Sequence, residues 1–213
     1  MSISEDHGLA LINANIHSIL SIGISTAGDA EIRMASLAPE AQIIATTLDK
    51  VGAALVVDLL RKNKLDERII IRTEDIAEKN PAIGNTLFDF VYARLVLHYL
   101  SEESLQKALA NIHQAMQKDA LLYVVVRSIQ SFEAKQKTNT YDPISKLTTY
   151  EVASKGSWAT RYFHSEDSIV SALQESGFQV KSSCEYDEKL SPNFDRTGSF
   201  VDNSVIEVIA RKV

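Results

Sequence analysis

Three side chains that could take part in chemistry follow an apolar stretch in the middle of the chain: Arg94, His98 and Tyr99. Histidine titrates near neutral pH and can act as a base, so His98 with Tyr99 beside it is the candidate catalytic pair. Arg94 carries a fork of donors that can bind a carboxylate or another anionic group. Both have structural alternatives, His98 as a hydrogen-bonded structural residue and Arg94 as the ion-pair partner of Glu102 or Glu103.

A run of small residues forms a second group near the N-terminus, where an apolar stretch at residues 16–22 ends. The run reads Gly23, Ile24, Ser25, Thr26, Ala27 and Gly28. Small residues let the backbone approach a ligand closely, and the helix expected after them presents free amide groups. Ligand binding is the favoured interpretation, and a tight turn that binds nothing is the alternative.

Aromatic and basic residues form a third group later in the chain. They are Tyr141, Tyr150, Trp158, Arg161, Tyr162 and His164, with Arg127 at the end of the preceding apolar stretch. A hairpin is predicted between residues 147–152 and 158–163, with Lys155 and Gly156 at its turn. These side chains could line a substrate pocket, or the hairpin could pack its aromatic residues against the edge of a sheet.

The elements that must position these groups alternate between strand and helix. Strands are predicted at residues 16–22, 42–47, 68–72, 88–93, 120–127, 178–186 and 204–211, and helices at 29–38 and 51–63, from Ser101, and from Ser165 to Gly177. The consecutive isoleucines Ile69, Ile70 and Ile71 predict a strand covered on both faces.

Five β-α units and a β-β finish predict an α/β, doubly wound, mostly parallel sheet with an antiparallel C-terminal edge strand. In such a sheet, ligands bind beyond the carboxyl ends of the strands where the strand order reverses. The small-residue run, Arg94 and Arg127 all follow strand ends. They are therefore expected on one edge of the sheet.

The composition of the chain excludes several classes of protein. The chain has 213 residues, of which 45% are hydrophobic and 23% charged, as expected for one globular domain over residues 1–213 with an inserted hairpin or lid at 138–164. The net charge of −6 argues against a nucleic-acid or anionic-membrane surface. The apolar runs fall far short of the roughly 20 residues of a membrane helix.

The remaining residue types point to a cytoplasmic protein without a metal. Glu5 and Asp6 stand where a signal peptide carries bases. The lone Cys184 cannot form an internal disulfide, so a reducing compartment is expected. The five histidines, the cysteine and the acidic residues show no ligand spacing, and no metal site is predicted.

Residues 18–127 resemble the core of the class I S-adenosylmethionine-dependent methyltransferases of the small-molecule type. Three segments carry the resemblance: Ser21-Ile22-Gly23-Ile24-Ser25-Thr26-Ala27-Gly28-Asp29, Thr73-Glu74-Asp75-Ile76, and Phe88 to Leu100. Gly23 matches the first glycine of the family's cofactor loop. The loop is degenerate, with Ser25 and Ala27 where the family usually has glycine and Ser21 where it often has an acid.

The resemblance implies a Rossmann-like sheet of seven strands and S-adenosylmethionine as the cofactor. Its implied cofactor-binding residues are Gly23, Ile24, Ser25, Thr26, Asp49, Glu74, Asp75, Ile76, Ala93, Arg94 and Leu95. Gly23 would lie under the methionine part, and Asp75 would accept from the adenine amino group, unless it is merely an acid ending the third strand. Asp49 would hold the ribose hydroxyls or cap the following helix, because Thr47 occupies the usual position of the ribose acid.

The function implied is methyl transfer to a small-molecule acceptor, with the hairpin residues and Arg127 as substrate candidates. One alternative is a weak or inactive binding or partner module, motivated by Ser21, Ser25, Ala27 and Thr47. Another is a dinucleotide-dependent oxidoreductase, because Gly23 and Gly28 keep two positions of Gly-x-Gly-x-x-Gly. Residues 7–15 allow only one short N-terminal helix, so the cofactor pocket is expected either to be more open than is usual in the family or to be closed by a second copy or a partner protein.

Overall fold

The computed structural model describes residues 2–82, 87–152, 156–190 and 201–213. Within them, the helices are α1 (Ile3–Ala10), α2 (Asp29–Leu37), α3 (Lys50–Lys62), α4 (Glu102–Ala115) and α5 (Glu166–Glu175). The strands are β1 (Ser18–Ile22), β2 (Gln42–Thr47), β3 (Ile69–Thr73), β4 (Phe88–Arg94), β5 (Met116–Arg127), β6 (Thr140–Tyr141), β7 (Thr148–Val152), β8 (Ser157–Arg161), β9 (Phe178–Leu190) and β10 (Val201–Lys212). Short 3₁₀ turns at Leu97–Tyr99 and Glu133–Lys135 follow β4 and β5.

Seven strands form one sheet in the order β3-β2-β1-β4-β5-β10-β9. Strands β1 to β5 run parallel to one another, and β10 pairs antiparallel with both β5 and β9. The chain moves from β1 to β2 on one side and returns to β4 on the other. The strand order therefore reverses between β1 and β4, which confirms the Rossmann-like fold and marks where a ligand is expected.

Apolar layers cover both faces of this sheet. Alternate residues of a strand point to opposite faces, so Ile19 packs in the layer with Met34 of α2, and Leu20 in the layer with Leu109 of α4. The prediction that the isoleucines are covered on both faces is wrong for Ile70, which is 36% exposed. β3 is the last strand of the sheet on this side, so less of the molecule packs over it.

Capping side chains determine where two of the helices begin. The Oγ atoms of Ser101 and Ser165 accept hydrogen bonds from the amides of Ser104 and Ser168, which fixes the starts of α4 and α5 as predicted. In the described part of the chain, no helix is long and apolar enough to cross a membrane.

The N-terminal helix begins earlier than predicted. It spans Ile3–Ala10 rather than lying within residues 7–15, and Ser2 caps it by accepting from the amide of Glu5. Gly8 lies against the rings of Tyr92 and Tyr123, where a Cβ atom would be 2.5 Å from Tyr123 Cε1. This close packing onto the sheet fixes the position of α1, and local sequence spacing did not reveal it.

Strands β6, β7 and β8 form a separate antiparallel sheet of three strands. The pairing of β7 with β8 confirms the predicted hairpin, although Lys155 of its predicted turn lies outside the described residues. The amide of Tyr162 donates to the carbonyl of His98, and that of Glu102 to the carbonyl of Ser145. The small sheet is thereby attached beside the ends of β4 and β5.

Candidate active site

The turn after β1 requires glycine at its first position. The amides of Gly23 and Ile24 donate to the carbonyl of Thr46 at 2.9 and 3.0 Å, which ties the turn to the end of β2. Gly23 has φ +83°, and a Cβ atom there would lie 2.7 Å from Cγ2 of Val96. Backbone conformation and close packing therefore both exclude a side chain at this position.

The helix after this turn begins without a side-chain cap. Gly28 occupies the cap position with φ +61° and has no side chain with which to cap α2. Ser25 is half-buried and Thr26 is exposed, so the turn forms part of the surface. The start of a helix and small residues at the surface are a fitting environment for the polar methionine part of S-adenosylmethionine.

Asp49, the predicted ribose-binding residue, caps α3. Its Oδ1 accepts from the amide of Val51 at 3.0 Å. A Cβ atom on Gly52 would lie 2.4 Å from Asp49 Oδ2 and 3.0 Å from Thr26 Cγ2, so these three residues meet at the ends of β1 and β2. A carboxylate has two acceptor oxygens, and capping by one is compatible with binding a hydroxyl through the other.

The acids after β3 have partners within the protein. Asp75 Oδ1 accepts from the amide of Ala77 at 2.8 Å, and Ile76 beside it is buried. Glu74 Oε2 pairs with Arg72 at 2.8 Å and with Lys79 at 3.1 Å. Glu74 Oε1 is buried and has no hydrogen-bond partner within the described ranges. The adenine-binding role of these residues stays a prediction.

Arg94 is held by the N-terminus and by a distant strand. Its Nε donates to Ser4 Oγ at 2.6 Å, its Nη2 donates to Ser2 Oγ, and Nη2 lies 3.8 Å from Oε1 of Glu188 on β9. The alternative in which Arg94 pairs with an acid at the start of α4 is wrong, because the guanidinium lies on the α1 side of the sheet end. Ala93 is fully buried, and Leu95 adopts φ +54°.

Glu31 is a residue near the first turn that sequence reasoning did not single out. Its carboxyl is buried under the turn, and Ser21 Oγ donates to it at 2.5 Å. Burial raises the pKa of Glu31, which the hydrogen bond from Ser21 partly offsets. Helical spacing could have predicted the burial of Glu31, because it lies four residues before Ala35 on the buried face of α2.

We predict that replacing Glu31 with glutamine flattens the pH dependence of stability. The pKa of Glu31 is higher in the folded protein than in the unfolded chain. Its contribution to the free energy of unfolding is therefore fully present below the unfolded-state pKa and is lost as pH rises through the folded-state pKa. The E31Q variant should therefore gain stability relative to the wild type as pH rises above the usual pKa of a glutamate carboxyl, measured by urea unfolding at a series of pH values. The exposed control E67Q should show no such gain, and a wild-type/E31Q difference independent of pH would contradict the prediction.

The ends of β4, β5 and β8 bring together a second group of the predicted residues. His98, Arg127, Tyr150, Arg161 and His164 are all at least 94% buried. Tyr99 joins them, because Arg161 Nη2 donates to its hydroxyl at 3.3 Å. Two predicted substrate residues do not join the group: Trp158 and Tyr141 are 58% and 55% exposed.

Glu133, which the sequence did not single out, is the acid of this group. It lies in the 3₁₀ turn after β5, and its Oε1 is 3.7 Å from both Arg127 Nη2 and Arg161 Nη1. Burial together with Arg161, Arg127 and His164 lowers the pKa of His98 well below its usual value. Burial lowers the pKa of His164 to about 3. Both imidazoles are therefore neutral at pH 7.

No three histidine, cysteine, aspartate or glutamate side chains within the described ranges come together as metal ligands.

Comparisons with known proteins agree with this architecture. Residues 20–124 match the family model described as a methyltransferase domain. No curated protein matches the sequence. Among solved structures, the CcbJ methyltransferase from Streptomyces caelestis superposes with a TM-score of 0.73 at 10% identity, covering 99% of this chain and 94% of that chain.

Two further structures show the range of proteins with this fold. A SAM-dependent methyltransferase from Methanosarcina mazei has a TM-score of 0.66 at 15% identity, covering 92% of both chains. The [4+2]-cyclase SpnF has a TM-score of 0.66 at 16% identity, covering 98% of this chain and 78% of that chain. Identities this low establish the fold and nothing more specific.

The match over residues 20–124 and the strand order together identify a methyltransferase domain with the Rossmann-like fold, for which S-adenosylmethionine is the implied cofactor. This confirms the resemblance noted in the sequence. The match favours a methyltransferase over the dinucleotide-dependent oxidoreductase.

Proposed function

We propose that the protein transfers the methyl group of S-adenosylmethionine to a small-molecule acceptor in the cytoplasm. The observation that carries the proposal is the placement of two residue groups on one sheet edge. The predicted cofactor residues follow β1 to β4, and the buried polar group lies at the ends of β4 and β5. A cofactor and an acceptor bound by these groups would be neighbours.

Positioning is the main contribution of the protein in this proposal. The cofactor supplies a sulfonium-bound methyl group, and holding an acceptor in line with that bond accounts for much of the rate. The turn from Gly23 to Thr26 would hold the methionine part, Asp49 the ribose, and Asp75 with Ile76 the adenine. Neutral His98 can exchange a hydrogen bond with the acceptor through its Nδ1, which has no partner in the described structure.

The small sheet is proposed as the lid over the acceptor. Residues Tyr150 and Arg161 reach from β7 and β8 into the buried group, whereas Trp158 is exposed on the outside. Lid closure would exclude water from the transferred methyl group. The cytoplasmic location is supported by Cys184, an exposed free thiol.

Asp49→Asn tests the cofactor site. Asparagine caps a helix about as well as aspartate, so the change removes the charge and leaves α3 capped. We expect roughly 10-fold weaker binding of S-adenosylhomocysteine, the demethylated product, because a hydrogen bond to a charged group contributes about 1.5–3 kcal/mol. Isothermal titration calorimetry on the full chain measures this affinity.

The matched control is Asp58→Asn on the same helix, whose side chain is 67% exposed. Unchanged affinity in this control with a loss in D49N supports the ribose assignment, and equal affinities in both variants contradict it. Failure of the wild type to bind the demethylated product at millimolar concentration would overturn the proposed function itself.

A binding or partner module without methyl transfer is the second candidate function. It is favoured by Thr47, which stands at the usual position of the ribose acid and is buried, with its Oγ accepting from the amide of Asp49. The two functions differ in turnover. Release of S-adenosylhomocysteine in the presence of an acceptor supports transfer, whereas tight binding without turnover across an acceptor library supports the module.

A further inference from the structure

Two arginines are buried together at the proposed acceptor side. Arg127 ends β5 and Arg161 ends β8, and they are 3% and 6% exposed. Together with Glu133, Tyr150, His98 and His164 they form what we call the two-arginine cluster. Its members come from both the main sheet and the small sheet. An interior charge is costly unless it is paired and hydrogen-bonded.

The pairing inside this cluster is incomplete. Glu133 Oε1 lies 3.7 Å from a nitrogen of each arginine, which is beyond hydrogen-bond distance. Several buried polar atoms have no partner in the described part of the chain: Arg127 Nη1, Arg161 Nε and Nη1, Glu133 Oε2, Tyr150 Oη, His98 Nδ1 and His164 Nε2. Three of these atoms are guanidinium donors, so the group most clearly missing is an acceptor.

The charge of the cluster fits one monoanion. Two guanidinium groups and the Glu133 carboxylate leave one net positive charge when both histidines are neutral. A carboxylate balances that charge and presents two oxygens to the planar donor forks of arginine. A doubly charged phosphate would leave an excess negative charge inside the protein.

We propose that the methyl acceptor carries a carboxylate and that Arg127 and Arg161 bind it. This inference rests on the proposed function and names the substrate class of the same site. The carboxylate would join the main sheet to the lid, because Arg127 belongs to the former and Arg161 to the latter. Binding would then draw the lid onto the acceptor.

The aromatic neighbours indicate what lies next to the carboxylate. The Arg161 guanidinium carbon is 5.2 Å from the centre of the Tyr99 ring and 5.4 Å from that of Tyr150. These contacts orient the guanidinium and place flat apolar surfaces beside it. A carboxylate attached to a planar or apolar body matches this combination better than a small hydrophilic acid.

The experiment compares carboxylates with carboxamides of the same shape. The probes are acetate, benzoate and indole-3-acetate with their amides, titrated calorimetrically into the full chain with and without S-adenosylhomocysteine. We expect the aromatic carboxylates to bind at least 10-fold more tightly than their amides. Arg161→Gln should remove this preference, whereas the exposed control Arg61→Gln should retain it.

The wild-type comparison keeps the test decisive if R161Q fails to fold, because the carboxylate preference is measured without any variant. No preference in any pair, or an equal preference in folded R161Q, would overturn the inference. Binding of S-adenosylhomocysteine without a carboxylate preference leaves the proposed function standing. A carboxylate preference without binding of S-adenosylhomocysteine would instead overturn the proposed function.

Discussion

Gly23→Ala is expected to destabilise the protein by about 2–5 kcal/mol and to abolish binding of S-adenosylhomocysteine. A non-glycine residue in left-handed backbone conformation costs about 1–2 kcal/mol. The new methyl group would also lie 2.7 Å from Val96 Cγ2, and such overpacking costs about 1–3 kcal/mol more. Urea unfolding and calorimetric titration measure the two effects.

Gly156→Ala separates strain from overpacking. Gly156 has φ +59°, and no described atom lies within 4 Å of a Cβ placed there. This control should therefore show only the backbone cost of about 1–2 kcal/mol. If G23A loses no more stability than G156A, then Val96 moves away from the new methyl group without an energetic cost.

A double variant locates the overpacking. Val96→Ala in the G23A background should restore part of the lost stability, because it removes the atoms that a Cβ on Gly23 would meet. If the stability losses of the two single variants simply add, contact between Val96 and a side chain at position 23 is not the cause of the loss in G23A.

Arg94→Met is expected to destabilise the protein by about 3–5 kcal/mol. The change removes the guanidinium that lies 3.8 Å from the Glu188 carboxylate, a side chain that is only 1% exposed. The same carboxylate accepts from the amide of Ser4 at 3.0 Å and from its Oγ at 2.6 Å, so the start of α1 should loosen as well. Urea unfolding measures the loss, and hydrogen exchange of residues 3–10 measures the loosening.

The double-mutant cycle with Glu188→Gln decides how Arg94 acts. If Arg94 stabilises the fold chiefly through Glu188, adding E188Q to R94M should recover at least 1 kcal/mol relative to the sum of the single effects. A normal stability of R94M together with weaker S-adenosylhomocysteine binding would instead make Arg94 a cofactor ligand, as the resemblance implies.

Local sequence pattern determined the order of the core elements. Apolar runs ending in small or charged residues predicted β1, β2 and β4 within two residues of their observed bounds, whereas β5 begins at Met116, four residues before its predicted start. Ser101 and Ser165 predicted the starts of α4 and α5 because a cap acts within one helical turn. Strands β9 and β10 extend beyond their predicted ends, since pairing between neighbouring strands continues past the apolar part of each.

Contacts between distant parts of the chain could not be derived in this way. The ion pair of Arg94 is formed with Glu188, far along the sequence, and it displaced the expected partners at the start of α4. Ile70 belongs to a continuous isoleucine run, yet its exposure depends on the place of β3 in the strand order.

The sequence by itself determined the methyltransferase fold and the residues that follow its strands, because strand and helix periodicity, caps and turn residues act locally. Only the tertiary structure decided which of these side chains meet. Arg127 and Arg161 become neighbours because the segment after β8 pairs with the end of β5, where the amide of His164 donates to the carbonyl of Arg127. Glu133 joins them from a turn without a sequence signal. Burial and charge at that meeting point depend on the whole sheet, and they define the proposed carboxylate site.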